Sequence, residues 1–523
     1  METPEHTSFA RRLAPAATVS LLLTVCIHVV WGDVALGLAD EGFLWYGIQR
    51  VLEGQVPLRD FQSYEPGRYY WGAAWGLWRG DGVLAMREAI ALFQWLGLTC
   101  GLLVCQRLSR HPLALLLAGT ILAAWMFPRH KVFESSISMM AVLAAVRLLE
   151  QRTVRQHLLA GIFCGLMGCM GRNHGIYIAC GFTLLIAFTW FRLGDGDRWR
   201  KLGAWSAGIV VGFSPVLLMM VLVPGFGAAL IENVLFFAEH GANLSKPWPW
   251  LWALPWAHLP VYQRIAIGIA FMIPLVVYPL GLVMALRTRP AQLERRTVLL
   301  GSVFMGVFYF HHVVELSATR HLAQCIHPGL LALLALPWTF SGARKSDRMK
   351  PVLGRFGVVL WCLLGLMTLG VAEGAHPLLK TPKNRTEGAF VQLDVAGDEL
   401  RVGAKPAQLL ALVKRVVERQ VPPDESIFIA PFYSTLYPFL GRTSPVWRLY
   451  FLWEADDETQ DEIIANLTDV NWALIIDEPP IKHRADLKFD ATHARVWAYL
   501  KREFEIVEPR ALSPPRFLFK RRN

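Results

Sequence analysis

Long runs of apolar residues, separated by short polar segments, fill the first 373 positions of the chain. A membrane-spanning helix needs about 20 mostly apolar residues. The runs that meet or approach this length cover residues 14–31, 83–105, 112–127, 133–149, 158–170, 175–191, 202–223, 265–286, 298–316, 322–340 and 352–372. The run 158–170 is short for a crossing, so it forms either a span or half of a re-entrant pair with the next run. The pattern predicts a polytopic α-helical membrane protein with about 11 spans in residues 1–373.

The pattern changes near residue 374, where apolar positions become spaced as in a soluble domain. Helical periodicity is present over residues 405–420, 457–467 and 492–502. Short apolar runs at 426–430, 473–476, 504–507 and 517–520 are typical of strands. Helices alternating with strands predict a small α/β domain over residues 374–523. This segment has no glycine-rich phosphate loop, and we expect it to act as an accessory or substrate-orienting domain.

Composition and charge agree with a membrane location. Hydrophobic residues make up 54% and charged residues 18% of the chain, against about 25% charged residues in soluble domains. The net charge of +11 comes from short basic clusters between apolar runs, which is the positive-inside pattern and does not indicate nucleic-acid binding. The clusters place the N-terminus in the cytoplasm and the C-terminal domain outside it.

The first predicted outer loop, residues 32–82, begins with the acidic pair Asp40 and Glu41. Adjacent carboxylates at a membrane face have three open roles. One can remove a proton from an acceptor hydroxyl as a general base, or bind a divalent metal that neutralises a phosphate leaving group. In the third role, the two carboxylates only keep the loop solvated and take no part in chemistry.

The pair opens a longer motif, which comprises Asp40-Glu41-Gly42, Leu52, Gly54, Pro57, Arg59-Asp60-Phe61 and Pro66-Gly67. This motif resembles the first-loop signature of the GT-C glycosyltransferases, in particular the bacterial branch with protein O-mannosyltransferases and the lipid A aminoarabinose transferase. The resemblance covers this loop specifically and the layout of many spans plus an outer domain more loosely. It implies that Asp40 is the catalytic base or a metal ligand with Glu41 as its neighbour, that the donor is a polyprenyl-phosphate sugar, and that the anomeric carbon inverts.

Cations on the predicted outer side are candidates for holding the donor phosphate, because arginine pairs bidentately with phosphate and stays charged. The substrate-binding candidates are Arg59, Asp60, Arg172, Arg320 and His321. The alternative for the cations is snorkelling to lipid phosphates. A divalent metal has three candidate ligands, Glu41, His312 and Glu315; the last two are three apart and share a helix face, although ordinary structural roles suit them as well.

These features together predict a glycosyltransferase of the bacterial inner membrane with its site on the extracytoplasmic side. Its expected partners are the lipid-linked donor, membrane lipid, and a glycan, lipid or protein acceptor. A divalent metal is the one cofactor that the carboxylates suggest. A transporter or flippase of a lipid-linked saccharide is the alternative, although the chain shows no symmetry between halves of the kind common in transporters. A polymerase or ligase of surface glycans is a third.

Overall fold

A computed structural model describes residues 4–240, 246–340, 349–375, 390–479, 484–510 and 516–522 of the chain. The contacts divide the chain into two compact units. The first comprises Met1–Gly32, Glu88–Leu218 and Leu244–Lys383, and the second comprises Asp33–Arg87, Met219–Asn243 and Asn384–Asn523. Residues 33–82 of the predicted first outer loop therefore share a unit with the C-terminal region.

The helices of the first unit are mostly long and apolar. They are α1 (Pro4–Trp31), α4 (Val83–Cys105), α5 (Pro112–Ala124), α6 (Val132–Glu150), α7 (Val154–Met170), α8 (Arg172–Arg192), α9 (Arg198–Leu222), α11 (Val261–Leu286), α12 (Leu293–Tyr309), α13 (His311–Glu315), α14 (Thr319–Cys325), α15 (His327–Phe340) and α16 (Met349–Ala375). Helix α12 packs against α6, α8, α11 and α15. Its residues Leu299, Leu300, Val303 and Met305 are fully buried, so α12 is a central helix of this unit.

Eight of the eleven predicted spans coincide with helices that are long and apolar enough to cross a membrane. The run 322–340 is a broken pair, Thr319–Cys325 and His327–Thr339, bent by 60°. The runs 112–127 and 158–170 form helices of 13 and 17 residues, shorter than a crossing requires. The described residues thus contain eight such helices, or nine with the bent pair, and the count of eleven is not confirmed. An integral membrane protein is supported, while the orientation of its termini stays a prediction.

The short helix α7 is held by close packing against α9. A Cβ atom on Gly161 would lie 2.1 Å from the carbonyl oxygen of Trp205, and one on Gly165 would lie 2.3 Å from that of Ile209. The facing positions on α9 are Gly208 and Gly212, each with equally little space. Small residues four apart on both helices let the backbones approach, which is a common packing mode of membrane helices.

The second unit combines helices with two small sheets. Its helices are α2 (Asp40–Leu52), α3 (Pro66–Arg79), α10 (Phe226–His240), α17 (Ala404–Gln420), α18 (Leu436–Leu440), α19 (Asp457–Asn466), α20 (Phe489–Thr492) and α21 (Ala494–Glu503). Its strands are β1 (Phe390–Val395), β2 (Asp398–Gly403), β3 (Ile427–Ala430), β4 (Trp472–Ile476), β5 (Phe504–Arg510) and β6 (Arg516–Arg521). Strands β1 and β2 form an antiparallel hairpin, and the other four form a sheet in the order β3-β4-β6-β5.

The four-stranded sheet is mixed, and its strands β3 and β4 are buried along their whole length. Strand β3 is parallel to β4, while β4 and β6 are antiparallel, as are β6 and β5. Phe428 of β3 lies opposite Ala473 of β4, and both belong to a core with Phe451, Phe489 and Phe519. The predicted strands near 426–430, 473–476, 504–507 and 517–520 are confirmed, as are the three predicted helices of this region. The hairpin β1–β2 and helices α3 and α10 were missed.

Candidate functional site

Helix α2 begins at Asp40, so the acidic pair occupies its first turn. Negative side chains are favourable there because the unpaired N–H groups and the helix dipole make this end positive. The Glu41 side chain turns back along the chain, and its Oε2 accepts a hydrogen bond of 2.8 Å from the backbone N–H of Gly37. The Asp40 side chain is half-buried. The first turn therefore holds one carboxylate inside the unit and leaves the other accessible.

Glu41 forms a buried ion pair with Arg87, which lies in the first turns of α4 and belongs to the second unit. Arg87 donates from Nε to Oε1 at 2.9 Å and from Nη2 to Oε2 at 3.1 Å. The Arg87 side chain is 0% exposed, and that of Glu41 is 7% exposed. Arg87 also donates a hydrogen bond to the carbonyl oxygen of Ala35 at 2.6 Å. Removing one partner of such a pair leaves an uncompensated buried charge. The pair therefore fixes the start of α2 and, with it, the position of Asp40.

Asp40 is contacted by a tyrosine from the far end of the chain. The hydroxyl of Tyr450 donates to Asp40 Oδ1 at 3.1 Å. The Tyr450 ring stacks on Phe43 of α2, with centroids 4.1 Å apart and planes 27° apart. Burial, and then the negative charge of Asp40, raise the pKa of Tyr450 well above its usual value. The phenol therefore stays protonated and acts as a hydrogen-bond donor to Asp40.

The backbone around Tyr450 is fixed by Gln62 of the first loop. Gln62 Oε1 accepts from the N–H groups of Leu449 and Tyr450 at 2.8 and 2.9 Å. The Gln62 N–H donates to the carbonyl oxygen of Trp447 at 2.9 Å, and the indole N–H of Trp447 donates to the carbonyl oxygen of Leu58 at 2.8 Å. These hydrogen bonds fix the backbone around Tyr450 and therefore the position of its ring on α2.

The turn that precedes Asp40 is held in the same manner by residues just before α18. Ser434 Oγ donates to the carbonyl oxygen of Ala39 at 2.8 Å, and Thr435 Oγ1 donates to that of Gly37 at 2.6 Å. The backbone N–H of Thr435 donates to Leu38 at 3.2 Å. Asp40 is thus positioned from both sides by polar contacts within the second unit.

A buried cation lies in the same aromatic cluster. The Tyr64 ring meets Phe43 edge-on at 5.0 Å, and the Arg68 guanidinium lies 5.2 Å from the Tyr64 centroid. Arg68 is 5% exposed. A carboxylate, a neutral phenol and a buried arginine in one cluster can accept a proton and stabilise negative charge.

The predicted phosphate-binding residues Arg59 and Asp60 are paired with each other. Arg59 donates from Nε and Nη2 to the two carboxylate oxygens of Asp60 at 2.7 and 2.8 Å. This hydrogen bond is the main reason why the pKa of Asp60 is lowered and that of Arg59 is raised. Asp60 also accepts from the N–H of Val56 at 2.7 Å. Both side chains are partly exposed. A phosphate would bind Arg59 only after the ion pair with Asp60 is broken.

Arg172, Arg320 and His321 belong to the first unit. Arg172 begins α8 and is half-buried, whereas Arg320 is exposed. His321 lies edge-on to His312, with ring centroids 5.3 Å apart. His312 Nε2 is 2.8 Å from Gln324 Oε1, and Gln324 Nε2 donates to the carbonyl oxygen of Arg320 at 2.9 Å. The structure therefore joins His312, His321 and the α14 backbone into one polar cluster.

Of the three candidate metal ligands, the structure describes the side chains of Glu41 and His312. Both oxygens of Glu41 already accept hydrogen bonds from Arg87 and Gly37, and an arginine at this distance opposes a second positive charge. The side chain of Glu315 lies outside the described residues. Within the described residues, no three His, Cys, Asp or Glu side chains are grouped as metal ligands. The metal requirement stays a prediction from the sequence.

Tyr450, Gln62 and the role of Arg87 were missed from the sequence. Tyr450 lies in a segment without a motif, so nothing marked it. Arg87 did carry a signal, since an arginine inside an apolar run requires a partner. The acidic pair Asp40 and Glu41 of the first loop also had no assigned partner, and this requirement could have paired Arg87 with one of them.

Comparison with known proteins adds a fold-level result. No protein-family model matches the chain, and no curated protein sequence matches it significantly. Among solved structures, the chain is similar to ArnT from Cupriavidus metallidurans bound to undecaprenyl phosphate, with a TM-score of 0.54 and 15% identity over 95% of this chain and 97% of that one. The apo state of the same protein matches with a TM-score of 0.50 and 14% identity over 96% and 98% of the two chains. The chain therefore has a fold similar to that of ArnT.

Proposed function

We propose that this protein is a membrane glycosyltransferase that moves a sugar from a polyprenyl-phosphate donor to an acceptor hydroxyl, with Asp40 as the general base. The observation that carries the proposal is the half-exposed Asp40 at the start of α2, held by Tyr450 and by the buried Glu41–Arg87 pair. The fold likeness supports the donor class, since the similar ArnT structure contains undecaprenyl phosphate.

The reaction assigns one task to each group. Asp40 accepts the proton of the acceptor hydroxyl as its oxygen attacks the anomeric carbon. The bond between that carbon and the phosphate oxygen breaks, and the polyprenyl phosphate leaves with the electron pair. Attack opposite the leaving group inverts the anomeric carbon. The phenol of Tyr450 orients the carboxylate of Asp40, and it remains protonated throughout.

Glu41 has a positioning role in this proposal. Its carboxylate is occupied by Arg87 and Gly37, so its effect on transfer passes through the placement of Asp40. The leaving phosphate needs cations, and Arg172 and Arg320 remain the candidates. Arg59 joins them only if substrate opens its pair with Asp60.

We place the reaction on the extracytoplasmic side of a bacterial inner membrane, because the basic clusters of the sequence predict that side for the first loop. A periplasm-active reporter such as alkaline phosphatase, fused after Gly374, should be active in cells. Activity of a cytoplasm-dependent reporter at the same position would contradict the orientation.

The decisive experiment compares Asp40→Asn with Asp394→Asn. Asp394 is an exposed carboxylate of the same unit, 61% exposed at its side chain, and it serves as the matched control. Purified full-length protein would be assayed with radiolabelled sugars on polyprenyl phosphate and extracted membrane glycans and lipids as acceptors. A general base is worth about 10²- to 10⁴-fold in rate, so Asp40→Asn should lose transfer by that factor while Asp394→Asn keeps it.

Near-normal transfer by Asp40→Asn would contradict the mechanism. Absence of transfer by the wild-type protein, together with movement of an intact lipid-linked saccharide across proteoliposomes, would instead favour a flippase.

A further inference from the structure

The second unit contains a cavity of about 270 Å³ that shares a wall with the Asp40 site. The shared residue is Tyr450, which lines the cavity and whose hydroxyl contacts Asp40. Ligand pockets for drug-sized molecules begin at about 300 Å³. A volume slightly below that limit suits a group the size of a single sugar ring.

The inner wall combines aromatic rings with one arginine. Arg448 lies 5.4 Å from the centroid of Phe236, and Phe236 meets Trp453 edge-on at 5.7 Å. The Arg448 Nη2 donates to Thr459 Oγ1 at 3.2 Å, whereas its Nε is buried without a hydrogen-bond partner among the described residues. Burial lowers the pKa of Arg448 from its usual value. The wall thus offers apolar faces and a donor that a ligand oxygen can satisfy.

The rim carries carboxylates. Glu232, Glu454 and Asp456 line the cavity and are exposed. His493, in the inner wall, has its pKa lowered to about 3, chiefly by burial and then by the charge of Arg448, so it is neutral at physiological pH. Three carboxylates against one guanidinium leave the lining negative, and this charge opposes a phosphate.

We propose that this cavity binds one uncharged, hydroxyl-rich sugar ring next to Asp40. The C–H faces of a sugar pack on aromatic rings, its hydroxyl groups donate to carboxylates, and its oxygens accept from arginine. Whether the bound ring belongs to the donor or to the acceptor rests on the proposed glycosyltransferase function. The binding of a sugar ring to the cavity does not rest on it. Since Tyr450 borders both places, a ring in the cavity would lie beside the carboxylate that takes the acceptor proton.

The experiment measures binding without catalysis. Full-length protein in nanodiscs would be titrated with methyl glycosides of common hexoses and pentoses and followed by saturation-transfer NMR. Trp453→Ala removes an aromatic face, and Glu454→Gln removes a rim charge with little change in shape. Glu505→Gln, an exposed carboxylate on β5, is the matched control. We expect at least one glycoside to bind, both cavity variants to weaken it at least fivefold, and the control to leave it unchanged.

A second arm separates the two sources. The same sugar attached to a short polyprenyl phosphate should bind more weakly to the cavity variants if the cavity holds the donor sugar. If the cavity holds the acceptor sugar, the cavity variants should weaken binding of the free glycoside only. Either result supports the proposal. Equal binding by wild type and both cavity variants, no glycoside binding at all, or competition by inorganic phosphate would overturn it.

Failure of the proposed function gives a different result. Asp40→Asn should retain glycoside binding, because it changes the reacting carboxylate and leaves the aromatic wall in place. A protein that binds glycosides in this cavity but transfers no sugar would refute the transferase and keep the sugar site.

Discussion

Tyr450 and Asp40 are separated by 410 positions, yet the Tyr450 hydroxyl donates a 3.1 Å hydrogen bond to Asp40 Oδ1. Asp40 belongs to the first loop and Tyr450 to the C-terminal region, and both lie in one compact unit. The C-terminal region therefore supplies part of the candidate site. Through this hydrogen bond the C-terminal region positions Asp40, the proposed base.

Tyr450→Phe should reduce transfer and leave folding almost unchanged. The phenyl ring keeps the stacking on Phe43, and only the hydrogen bond to Asp40 is lost. A hydrogen bond to a charged group contributes about 1.5–3 kcal/mol, so the rate should fall roughly tenfold to a hundredfold. Steady-state transfer and thermal unfolding of the purified variant would measure the two effects.

Tyr433→Phe is the matched control. Tyr433 also donates from its hydroxyl to a carboxylate, Glu478, at 3.0 Å, in the same unit. This variant should retain transfer. Equal losses in the two variants would show that Tyr450 acts through general stability and not through Asp40.

The sequence predicted the local features of this site and missed those that depend on distant contacts. An acidic pair before an amphipathic stretch is visible in the chain, and in the structure this pair forms the first turn of α2. The contact of Tyr450 with Asp40 depends on Gln62, which fixes the 449–450 backbone through two hydrogen bonds. Neither a glutamine nor a tyrosine in a loop has a pattern that identifies its partner.

The ion pair of Glu41 and Arg87 leads to a stability prediction. Arg87→Met should leave the Glu41 carboxylate buried without its partner, and removing one member of a buried pair costs about 3–5 kcal/mol. The double variant with Glu41→Gln and Arg87→Met should recover part of this loss, because it removes both charges. Chemical unfolding in detergent would measure the free energies.

Arg59→Met provides the comparison for that experiment. Arg59 pairs with Asp60, but the side chains are 32% and 27% exposed, and such pairs contribute about 0–1 kcal/mol. A loss from Arg87→Met no larger than that from Arg59→Met would show that the buried pair does not stabilise α2.

Gly42 leads to a test of how α2 is docked. A Cβ atom at this position would lie 2.3 Å from the backbone N and Cα of Thr435, so alanine requires the backbone to move. Overpacking of this kind costs about 1–3 kcal/mol. Gly42→Ala should therefore lower the unfolding temperature and also impair transfer, because Thr435 holds the turn before Asp40.

Gly403→Ala is the control for Gly42, since its Cβ atom would meet Pro406 only at 3.6 Å. It should have little effect on either measurement. Similar melting temperatures for the wild type and Gly42→Ala would mean that α2 and the segment before α18 are not packed as described.

The helices of the first unit illustrate a second limit of the sequence. Apolar runs identified the positions of the spans, because hydropathy is a local property of the chain. The bend between Cys325 and His327 was not predicted, and neither were the lengths of α5 and α7. The bend joins two helices that share one apolar run, so composition could not separate them. Helix α7 is held by backbone contact with α9 at Gly161 and Gly165, and hydropathy does not show such a contact.

The last prediction concerns Arg320, which is exposed on α14. If its guanidinium holds the donor phosphate, Arg320→Ala should weaken binding of a polyprenyl-phosphate sugar roughly tenfold to a hundredfold, as expected for loss of about 1.5–3 kcal/mol from a charged hydrogen bond. Thermal stability should be unchanged, because the described contact at this residue uses its backbone carbonyl. Arg320→Lys should recover only part of the affinity, because an ammonium lacks the bidentate fork. Arg155→Ala, at an exposed arginine on the predicted cytoplasmic side, should bind the donor normally; equal affinities for Arg320→Ala and Arg155→Ala would remove Arg320 from the site.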